Sequence, residues 1–280
     1  MALNPAVIGK KSESEPFTYD KDSVILYALG IGAGVENELD FLYEKDLKVF
    51  PTFAVIPWTS GFAQILAAVN LNVKKVLHGE QTIILHKEIP PEGTIYLTAH
   101  IDSIYDKGDK GAHVNLVFEA RDEAGELIYE NISLIVDRSG GNFGGDSGPK
   151  KDKTIPPDGQ APDFKVTYAT SPDQAALYRL SGDKNLIHID PEFAAMGGHK
   201  APILHGLCTY GFCARAILHS VCNGDPVRLK YFSARMVKTV SPGDTLTTCG
   251  WKSGGNKYII ETTNQDGEVV LGNAIAEVVE

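Results

Sequence analysis

The sequence predicts an α+β fold made of two repeats, each an antiparallel sheet around one helix. Two pairs of segments are separated by the same 151 positions: YALGIG from Tyr27 with YRLSGD from Tyr178, and KEIPPEGT from Lys87 with KTVSPGDT from Lys238. Between them, residues 139–164 are rich in Gly, Pro and charge and have no apolar periodicity that would bury them. The predicted boundaries are 1–138 for the first repeat, 139–164 for a linker and 165–280 for the second repeat.

The first repeat is predicted to contain one helix followed by strands. The residues from Thr59 to Val69 have the apolar spacing of a helix. Later segments alternate or cluster β-forming residues and are separated by turn residues, as in DEAGELI from Asp122. The predicted strands are Val76–His86, Thr94–Ser103, His113–Arg121 and Leu127–Val136.

The second repeat follows the same order. Its helix is predicted over Gly206–Val221 and should be largely buried, because apolar residues recur there at helical spacing. Those residues are Leu207, Tyr210, Ala214, Ile217 and Leu218. The predicted strands, separated by Pro-Gly, Gly-Gly and Asp-Gly turns, are Lys230–Val240, Asp244–Trp251, Lys257–Thr263 and Glu268–Val279. We expect them to form an antiparallel meander.

The composition limits the classes of function. With 280 residues, 43% of them hydrophobic, the chain is long and apolar enough for a substantial core. A formal net charge of −10 argues against non-specific nucleic-acid binding, so any phosphate site must be local. No apolar run approaches the length of a membrane span, and the four cysteines do not form the framework of a small secreted domain. We therefore expect a globular protein of a reducing compartment.

The segment from Tyr178 to Gly211 carries the groups with catalytic potential. Asp183, Asn185 and His188 stand on a short turn. Shortly afterwards Gly206 begins the apolar helix, whose first N–H groups lack intrahelical partners. An acid, a base and an oxyanion donor in one segment indicate a site that polarises a carbonyl group.

Ordinary structural roles compete with this interpretation. Asp183, taken alone, is a common turn residue. We interpret His199 and His205 as structural histidines. A metal site made of His205, Cys208 and Cys213 is disfavoured, because residues three and eight positions apart on one helix do not converge on a tetrahedral ion.

The motifs resemble a known family. They are YRLSGD from Tyr178, the His-Ile-Asp-Pro run from His188, PILHGLCTYGF from Pro202, VLHGEQ from Val76 and the SGGNFGG loop from Ser139. With them, the sequence resembles the hydratase 2 domain of peroxisomal multifunctional enzyme type 2, within the MaoC-like hydratases. The resemblance covers nearly the whole chain. One departure is Leu186, where the family usually has Pro, so the turn is expected to be less rigid.

The resemblance implies a double hot-dog fold, in which each half wraps a curved sheet around a long helix. Only the second half keeps the catalytic turn, and the first widens the pocket for bulky acyl chains. The implied activity is (R)-specific hydration of trans-2-enoyl-CoA to (3R)-3-hydroxyacyl-CoA. The reaction needs no metal or redox cofactor, and coenzyme A is part of the substrate.

Water addition to an enoyl thioester needs a base, an acid and donors for an enolate-like oxygen. His188 is the predicted base, because its unperturbed pKa of about 6.5 suits proton transfer near neutrality. Asp183 is predicted to orient the water and protonate C2, or to exchange that role with His188 as a coupled pair. Asn185 is predicted to hold the water or the hydroxyl, and the Gly206 N–H to bind the thioester oxygen.

Cations or exposed N–H groups should rim the site for coenzyme A phosphates. The predicted lysines are Lys107, in a turn, and Lys238, which alternates with Met236 along a strand so that both face one way. The resemblance implies that His78 and Gly79 also contact the ligand.

Several alternatives stay open. Glu80 is either a hydrogen-bond partner behind the site or a structural residue. The Ser139–Gly145 loop is either a phosphate-binding nest or a linker, and its composition favours the linker. The rival functions are a hot-dog thioesterase, which would attack the carbonyl carbon, and an inactive acyl-CoA-binding module. Retention of Asp183, Asn185 and His188 together speaks against the inactive module.

The family context implies a peroxisomal role in fatty-acid β-oxidation, although the sequence carries no targeting signal that would show it. In the family this unit is fused to other β-oxidation domains, and whether the present chain is a fragment is open. Sheet edges left by hot-dog units favour a homodimer. We expect no nucleic-acid partner and no membrane span.

Overall fold

The computed structural model describes residues 3–57, 62–72, 75–150 and 153–279, and only the backbone of 62–64 and 66. The helices in this part are α1 (Lys21–Gly30), α2 (Val35–Glu38), α3 (Phe62–Val69), α4 (Gln174–Tyr178), α5 (Pro191–Met196) and α6 (Gly206–Val221). The strands of the first half are β1 (Glu15–Tyr19), β2 (Val76–Leu85), β3 (Gly93–Asp106), β4 (Ala112–Arg121) and β5 (Leu127–Asp137). Those of the second half are β6 (Phe164–Ala169), β7 (Leu229–Met236), β8 (Thr245–Lys252), β9 (Lys257–Thr263) and β10 (Val269–Val278).

All ten strands form one antiparallel sheet in the order β1-β3-β4-β5-β2-β7-β10-β9-β8-β6. The α+β prediction is confirmed, but the predicted meander is wrong in one respect. In each half the last three strands form a meander, whereas the strand after the helix pairs with the last strand: β2 with β5 and β7 with β10. This arrangement brings β2 and β7 side by side at the centre, where they join the two halves.

An approximate two-fold axis relates the halves and passes through the β2–β7 pair. Thr82 Oγ1 donates a hydrogen bond to Ser233 Oγ at 2.7 Å, and these residues are 151 positions apart. Tyr27 and Tyr178, which have the same separation, pack with their ring centroids 6.1 Å apart. Two residues at equivalent positions of the two repeats can contact each other only near the axis that relates the repeats. The sequence repeat therefore corresponds to a symmetric pairing of two units.

The larger of two hydrophobic clusters lies between the sheet and α6, and the smaller one includes residues of α3, β3 and β4. Twelve residues of α6, from Leu207 through Leu218, are buried, which is typical of a helix covered on nearly all sides. At Gly211 a Cβ would lie 2.3 Å from Ile31 Cγ2, so only glycine allows α6 to approach the end of α1 this closely. In the first half, the predicted helix start at Thr59 lies outside the described residues.

A buried ion pair also ties α6 to the first half. The Glu38 carboxylate accepts hydrogen bonds from Arg215 Nε at 2.9 Å and from His219 Nε2 at 2.8 Å. The Arg215 guanidinium also lies 4.3 Å from the Tyr168 ring centroid. These hydrogen bonds and the Arg215 charge outweigh burial and lower the pKa of Glu38 to about 2. The carboxylate therefore stays ionised.

The strand predicted over Lys230–Val240 ends early, at Met236. The chain leaves the sheet there, and the Val240 carbonyl accepts a hydrogen bond from Leu204 N at 2.7 Å. The alternation that predicted a shared face for Met236 and Lys238 therefore stops before Lys238. Among the described residues of 139–163 there is no helix or strand, and the boundaries at 138 and 164 remain a prediction.

No helix within the described ranges combines the length and apolar character that crossing a bilayer requires.

Candidate active site

The predicted turn is held in shape by its own side chains. Gly182, with φ +139, ends the short 3₁₀ turn that follows α4. Asp183 Oδ1 then accepts a hydrogen bond from Asn185 N at 3.0 Å, and Asn185 Oδ1 accepts one from Ile187 N at 3.2 Å. The Asn185 side chain thus caps the 3₁₀ turn Leu186–His188 and is itself exposed. This cap fixes the backbone that carries the His188 side chain into the interior.

Three side chains converge beside this turn. The ligand-capable atoms of Asp183, His188 and His205 all lie within 4.8 Å of one another. Asp183 is half-buried, whereas His188 and His205 are 9% and 1% exposed. A carboxylate and a histidine predicted from the motif therefore meet in one place, together with a second histidine that the sequence analysis interpreted as structural.

The hydrogen bonding of His188 leaves one ring nitrogen available for chemistry. Its Nδ1–H donates to the Ile203 carbonyl at 2.8 Å, and Ile203 N donates in turn to the Ile187 carbonyl at 3.3 Å. Nε2 then carries the lone pair of the neutral ring. Burial lowers the pKa of His188 below its ordinary value, although the charge of Asp183 opposes this. The ring is therefore held neutral and able to accept a proton.

His205 packs directly on the His188 ring. The two imidazole rings are stacked with centroids 3.7 Å apart, and His205 Nε2–H donates to the Asp183 carbonyl at 3.3 Å. Its Nδ1 is buried and has no hydrogen-bond partner among the described residues. Burial, followed by the neighbouring His188, lowers the pKa of His205 to about 4. Its position just before Gly206 in the motif was the only sequence signal for this role.

Gly206 supplies the helix end. It begins α6, and the N-cap His205 makes no side-chain capping bond, while Cys208 N and Thr209 N both donate to the His205 carbonyl. No described residue accepts a hydrogen bond from the Gly206 N–H. A Cβ at Gly206 would lie 3.2 Å from Met236 Cγ. Met236 therefore packs against Gly206, and a larger residue at this position would displace the Met236 side chain.

The first half reaches the site through the start of β2. His78 Nε2–H donates to the Glu80 carbonyl at 3.2 Å, and the pairing of β2 with β5 is irregular between these two residues, at Gly79. Burial lowers the pKa of His78 to about 4, with the Asp183 charge acting in the opposite direction. His78 is thus close enough to Asp183 for their charges to interact. Gly79 leaves little space, since a Cβ there would lie 3.0 Å from Val136 Cγ2.

The two predicted lysines have different surroundings. Lys107 lines a cleft of about 330 Å³ that also includes Tyr105, Glu80 and Arg235. Lys238 lies beyond the end of β7, is exposed and pairs with Glu268. Coenzyme A binding by either lysine remains a prediction, but only Lys107 adjoins a described cavity.

Within the described ranges, the side chains that could bind a metal ion are two cysteines of α6 and the cluster around Asp183. Burial raises the pKa of Cys213 to about 12, and the Cys208 thiol donates to the Gly30 carbonyl at 3.3 Å, so both cysteines are protonated thiols. The group Asp183, His188 and His205 has the chemistry of metal ligands. His188 Nδ1 and His205 Nε2 already donate to backbone carbonyls, so each histidine has one ring nitrogen left to offer a metal ion.

Comparison with known proteins identifies relatives of both halves. Residues 17–138 match the family model described as the MFE-2 hydratase 2 N-terminal domain, and residues 154–273 match the MaoC like domain. The chain is 36% identical to the probable enoyl-CoA hydratase 2 of Dictyostelium discoideum, covering 96% of this chain and 94% of that protein. It is 40% identical to the peroxisomal multifunctional enzyme type 2 of Mus musculus, over 97% of this chain but 38% of that protein.

Solved structures show the same architecture. The MaoC-like dehydratase of Phytophthora capsici superposes with a TM-score of 0.87 at 30% identity and 98% coverage of both chains. A Mycobacterium tuberculosis protein described as a double hot-dog fold superposes with a TM-score of 0.56 at 12% identity, covering 96% of this chain and 95% of that one. The fold of the present chain is therefore a double hot-dog.

Proposed function

The chain belongs to the family of MaoC-like hydratase 2 proteins, and we propose that it is an (R)-specific 2-enoyl-CoA hydratase. It adds water reversibly to trans-2-enoyl-CoA and forms (3R)-3-hydroxyacyl-CoA. The observation that carries the proposal is the meeting of Asp183, the free Nε2 of His188 and the N-terminus of α6 in one cluster.

Asp183 and His188 perform the proton transfers as a coupled pair. Water must lose a proton as its oxygen attacks C3, and C2 must gain one. A neutral imidazole with a free Nε2 accepts the proton from water, and a carboxylate within 4.8 Å stabilises the imidazolium that results. The imidazolium then returns this proton to C2, directly or through Asp183, so that both groups regain their starting protonation states. With both groups on one face of the alkene, water adds from a single side. This arrangement supports a product of one chirality.

The start of α6 stabilises the negative charge that develops on the thioester oxygen. The Gly206 N–H lies at the positive end of a 16-residue helix and has no side chain in front of it. Met236 beside it offers an apolar wall to the pantetheine arm. The exposed amide of Asn185 is the group proposed to hold the water or the product hydroxyl.

Coenzyme A is proposed to enter from the cleft that contains Lys107. Arg235 and Lys153 line the same cleft and supply further positive charge for phosphates. His78, Gly79 and Glu80 run from this cleft towards Asp183, which supports a path for the pantetheine arm. Lys238, engaged with Glu268, is proposed as an outer contact reached when that surface pair opens.

The wider setting is proposed from the names of the relatives. They include a peroxisomal multifunctional enzyme and a probable enoyl-CoA hydratase 2, which supports peroxisomal fatty-acid β-oxidation and fusion to other catalytic domains. The first repeat is proposed to widen the acyl pocket. A homodimer and a reaction without metal or redox cofactor complete the proposal.

The test follows loss of enoyl absorbance with crotonyl-CoA and a longer trans-2-enoyl-CoA, together with the chirality of the product. We expect (3R) product from both. Asp183→Asn and His188→Ala should each lower kcat at least about 100-fold with a smaller effect on KM, because both groups act mainly in the transition state. Asp190→Asn, a nearby carboxylate that only caps α5, is the matched control.

Three results would contradict the proposal. An (S) product would reject the stereochemical assignment. Release of free coenzyme A thiol from a saturated acyl-CoA, without hydration, would indicate a thioesterase. Binding of enoyl-CoA without turnover would indicate an inactive binding module.

A further inference from the structure

One carboxylate in the first half organises the glycine-rich segment that joins the two repeats. Asp106 is the last residue of β3, and its Oδ1 accepts hydrogen bonds from Gly108 N at 2.9 Å and Asn142 N at 2.8 Å. Its Oδ2 accepts one from Gly144 N at 2.7 Å. These donors, with the Gly108 amide contributing most, lower the pKa of Asp106. The N–H groups of Asn142 and Gly144 in this loop therefore bind the Asp106 carboxylate of the protein itself.

The loop is folded closely onto the turn that follows β3. A Cβ at Gly141 would lie 1.9 Å from the Gly108 carbonyl oxygen, and one at Gly148 would lie 2.6 Å from the Tyr105 ring. The Asp106 N–H also donates to the Asp146 carbonyl at 2.8 Å. Backbone contacts this close leave the loop little freedom while the Asp106 carboxylate holds it.

The same contacts fix Lys107. Its ammonium donates to the Ser147 carbonyl and lies 5.4 Å from the centroid of the Tyr105 ring. Ser147 belongs to the loop that Asp106 organises. The Tyr105 ring packs against Gly148 of the same loop. The position of the Lys107 ammonium is thus set by the loop, and the loop is set by Asp106.

The segment after this loop forms part of the cleft. Thr154 and Ile155 line it together with Lys107, while Thr154 N donates to Asn273 Oδ1 of β10 at 2.6 Å. Arg235 of β7 lines the same cavity. The connection between the repeats therefore forms a wall of the cleft, and Asp106 is the group that anchors its first part.

We propose that Asp106 is a positioning residue for coenzyme A: it fixes the loop of residues 139–148 and thereby holds Lys107 towards the phosphate-bearing end of the substrate. This inference rests on the proposed function. Asparagine at this position would keep the size of the side chain but present an NH₂ group to one of the N–H donors. The loop would then lose the arrangement that positions Lys107.

The test compares two thioesters with the same enoyl group. Crotonyl-CoA carries the nucleotide and its phosphates, whereas S-crotonylpantetheine lacks them. We expect Asp106→Asn to raise KM for crotonyl-CoA about tenfold, with kcat within about twofold and unchanged kinetics on S-crotonylpantetheine. Asp102→Asn, an exposed carboxylate on the same strand, is the matched control and should leave both substrates unaffected.

A double-mutant cycle shows whether Asp106 acts through Lys107. Lys107→Gln should give the same rise in KM that is specific to crotonyl-CoA, and Asp106→Asn should add nothing further in that background. If Asp106→Asn does not fold, Asp106→Ser replaces it, because one hydroxyl oxygen cannot accept from all three N–H groups that the carboxylate binds, and this variant should give the same selective rise.

The outcomes separate the two proposals. Equal losses on both thioesters, or full additivity with Lys107→Gln, would overturn the role of Asp106. Variants indistinguishable from an active wild type would do the same while leaving the hydratase assignment intact. A wild-type protein that hydrates neither thioester would refute the proposed function.

Discussion

The hydrogen bond from His188 to the Ile203 carbonyl decides which ring nitrogen is free. Because Nδ1 is the donor, any proton that His188 accepts must arrive at Nε2. Stacking against His205 at 3.7 Å prevents the ring from tilting, and burial of both rings disfavours a charge on either. The hydrogen bond, the stacking and the burial together give a neutral imidazole with a fixed orientation.

The pH dependence of turnover should reflect this burial. Since the pKa of His188 is lowered, the base remains unprotonated below the ordinary histidine pKa of about 6.5. We expect kcat/KM to stay level as the pH falls to about 6.5 and to decline only below it. A profile of kcat/KM from pH 4.5 to 8 on crotonyl-CoA measures this. A half-maximal rate above pH 7 would contradict the assignment of His188 as the base.

The stability of the protein should also depend on pH through His205. Its folded-state pKa of about 4 lies below the unfolded value of about 6.5, so the unfolded chain binds more protons as the pH falls between these values. Well above pH 6.5 His205 is neutral in both the folded and the unfolded state, so it does not change the free energy of unfolding there. At pH 5 it should lower the free energy of unfolding by about 2 kcal/mol relative to pH 7.5.

Urea denaturation of the wild type and of His205→Phe at both pH values measures this contribution. The variant keeps an aromatic ring for stacking and lacks the titrating group, so its loss of stability between pH 7.5 and pH 5 should be smaller. Equal pH dependence of the two proteins would contradict the buried, neutral state of His205.

Sequence motifs predicted Asp183, His188 and Gly206, and the structure brings these residues to one place. The sequence analysis interpreted His205 as structural, and nothing in the motif indicated that its ring packs on His188. Its contact with His188 joins residues 17 positions apart through a loop whose path the sequence does not encode locally. Two of the three backbone donors to Asp106 were equally hidden, since Asn142 and Gly144 lie more than 30 positions away along the chain.

The short helix α2 is fastened to α6 by an ion pair with almost no exposure. Glu38 and Arg215 have side-chain exposures of 4% and 5%, and Arg215 also donates to the Ile31 carbonyl at 2.9 Å. A buried charge without its partner is costly, whereas removal of both charges costs less. The pair therefore holds the first half against the helix that carries the Gly206 amide.

Arg215→Met should lower the free energy of unfolding by about 3–5 kcal/mol, because it leaves the Glu38 carboxylate buried without a guanidinium. Adding Glu38→Gln in the same protein should recover part of this loss. Urea denaturation at pH 7.5 measures both. A loss below about 1 kcal/mol for the single variant would contradict a tightly packed, water-free ion pair.

The strands were predicted more completely than their pairing. Each predicted strand has an observed counterpart because alternation is a local signal. The pairing of β7 with β10 rather than with β8 depends on the path of the chain through the whole sheet, and no local sequence pattern predicts it. The edge strands β1 and β6 were missed: they are five and six residues long, and β1 contains Pro16, which only an edge strand accommodates well.

The two halves share a sheet and do not have separate folds. Five residue pairs join β2 to β7 in the middle of the sheet, from Glu80 with Arg235 to Ile84 with Tyr231. Separation of the halves would expose two central strand edges to solvent. The repeat with its 151-residue spacing predicted the duplication, but the continuity of the sheet across it follows only from the packing.

A cut in the connection between the halves should therefore be tolerated when both pieces are present. Asp158 and Gly159 lie in an exposed turn, and a Cβ at Gly159 would contact nothing. Co-expressed pieces 1–158 and 159–280 should co-purify through a tag on one of them and hydrate crotonyl-CoA. Either piece expressed alone should be insoluble or inactive. An active second piece on its own would contradict the shared sheet.

The hydroxyl pair Thr82–Ser233 on the two-fold axis also bears on the origin of this protein. An ancestor with identical copies would have dimerised edge to edge along these strands and carried two sets of catalytic groups. Gly32 and Asn37 stand 151 positions before Asp183 and His188, so the corresponding turn of the first half has neither a carboxylate nor an imidazole at these two positions. Glu38, directly after this turn, binds Arg215 of α6, the helix that begins at Gly206.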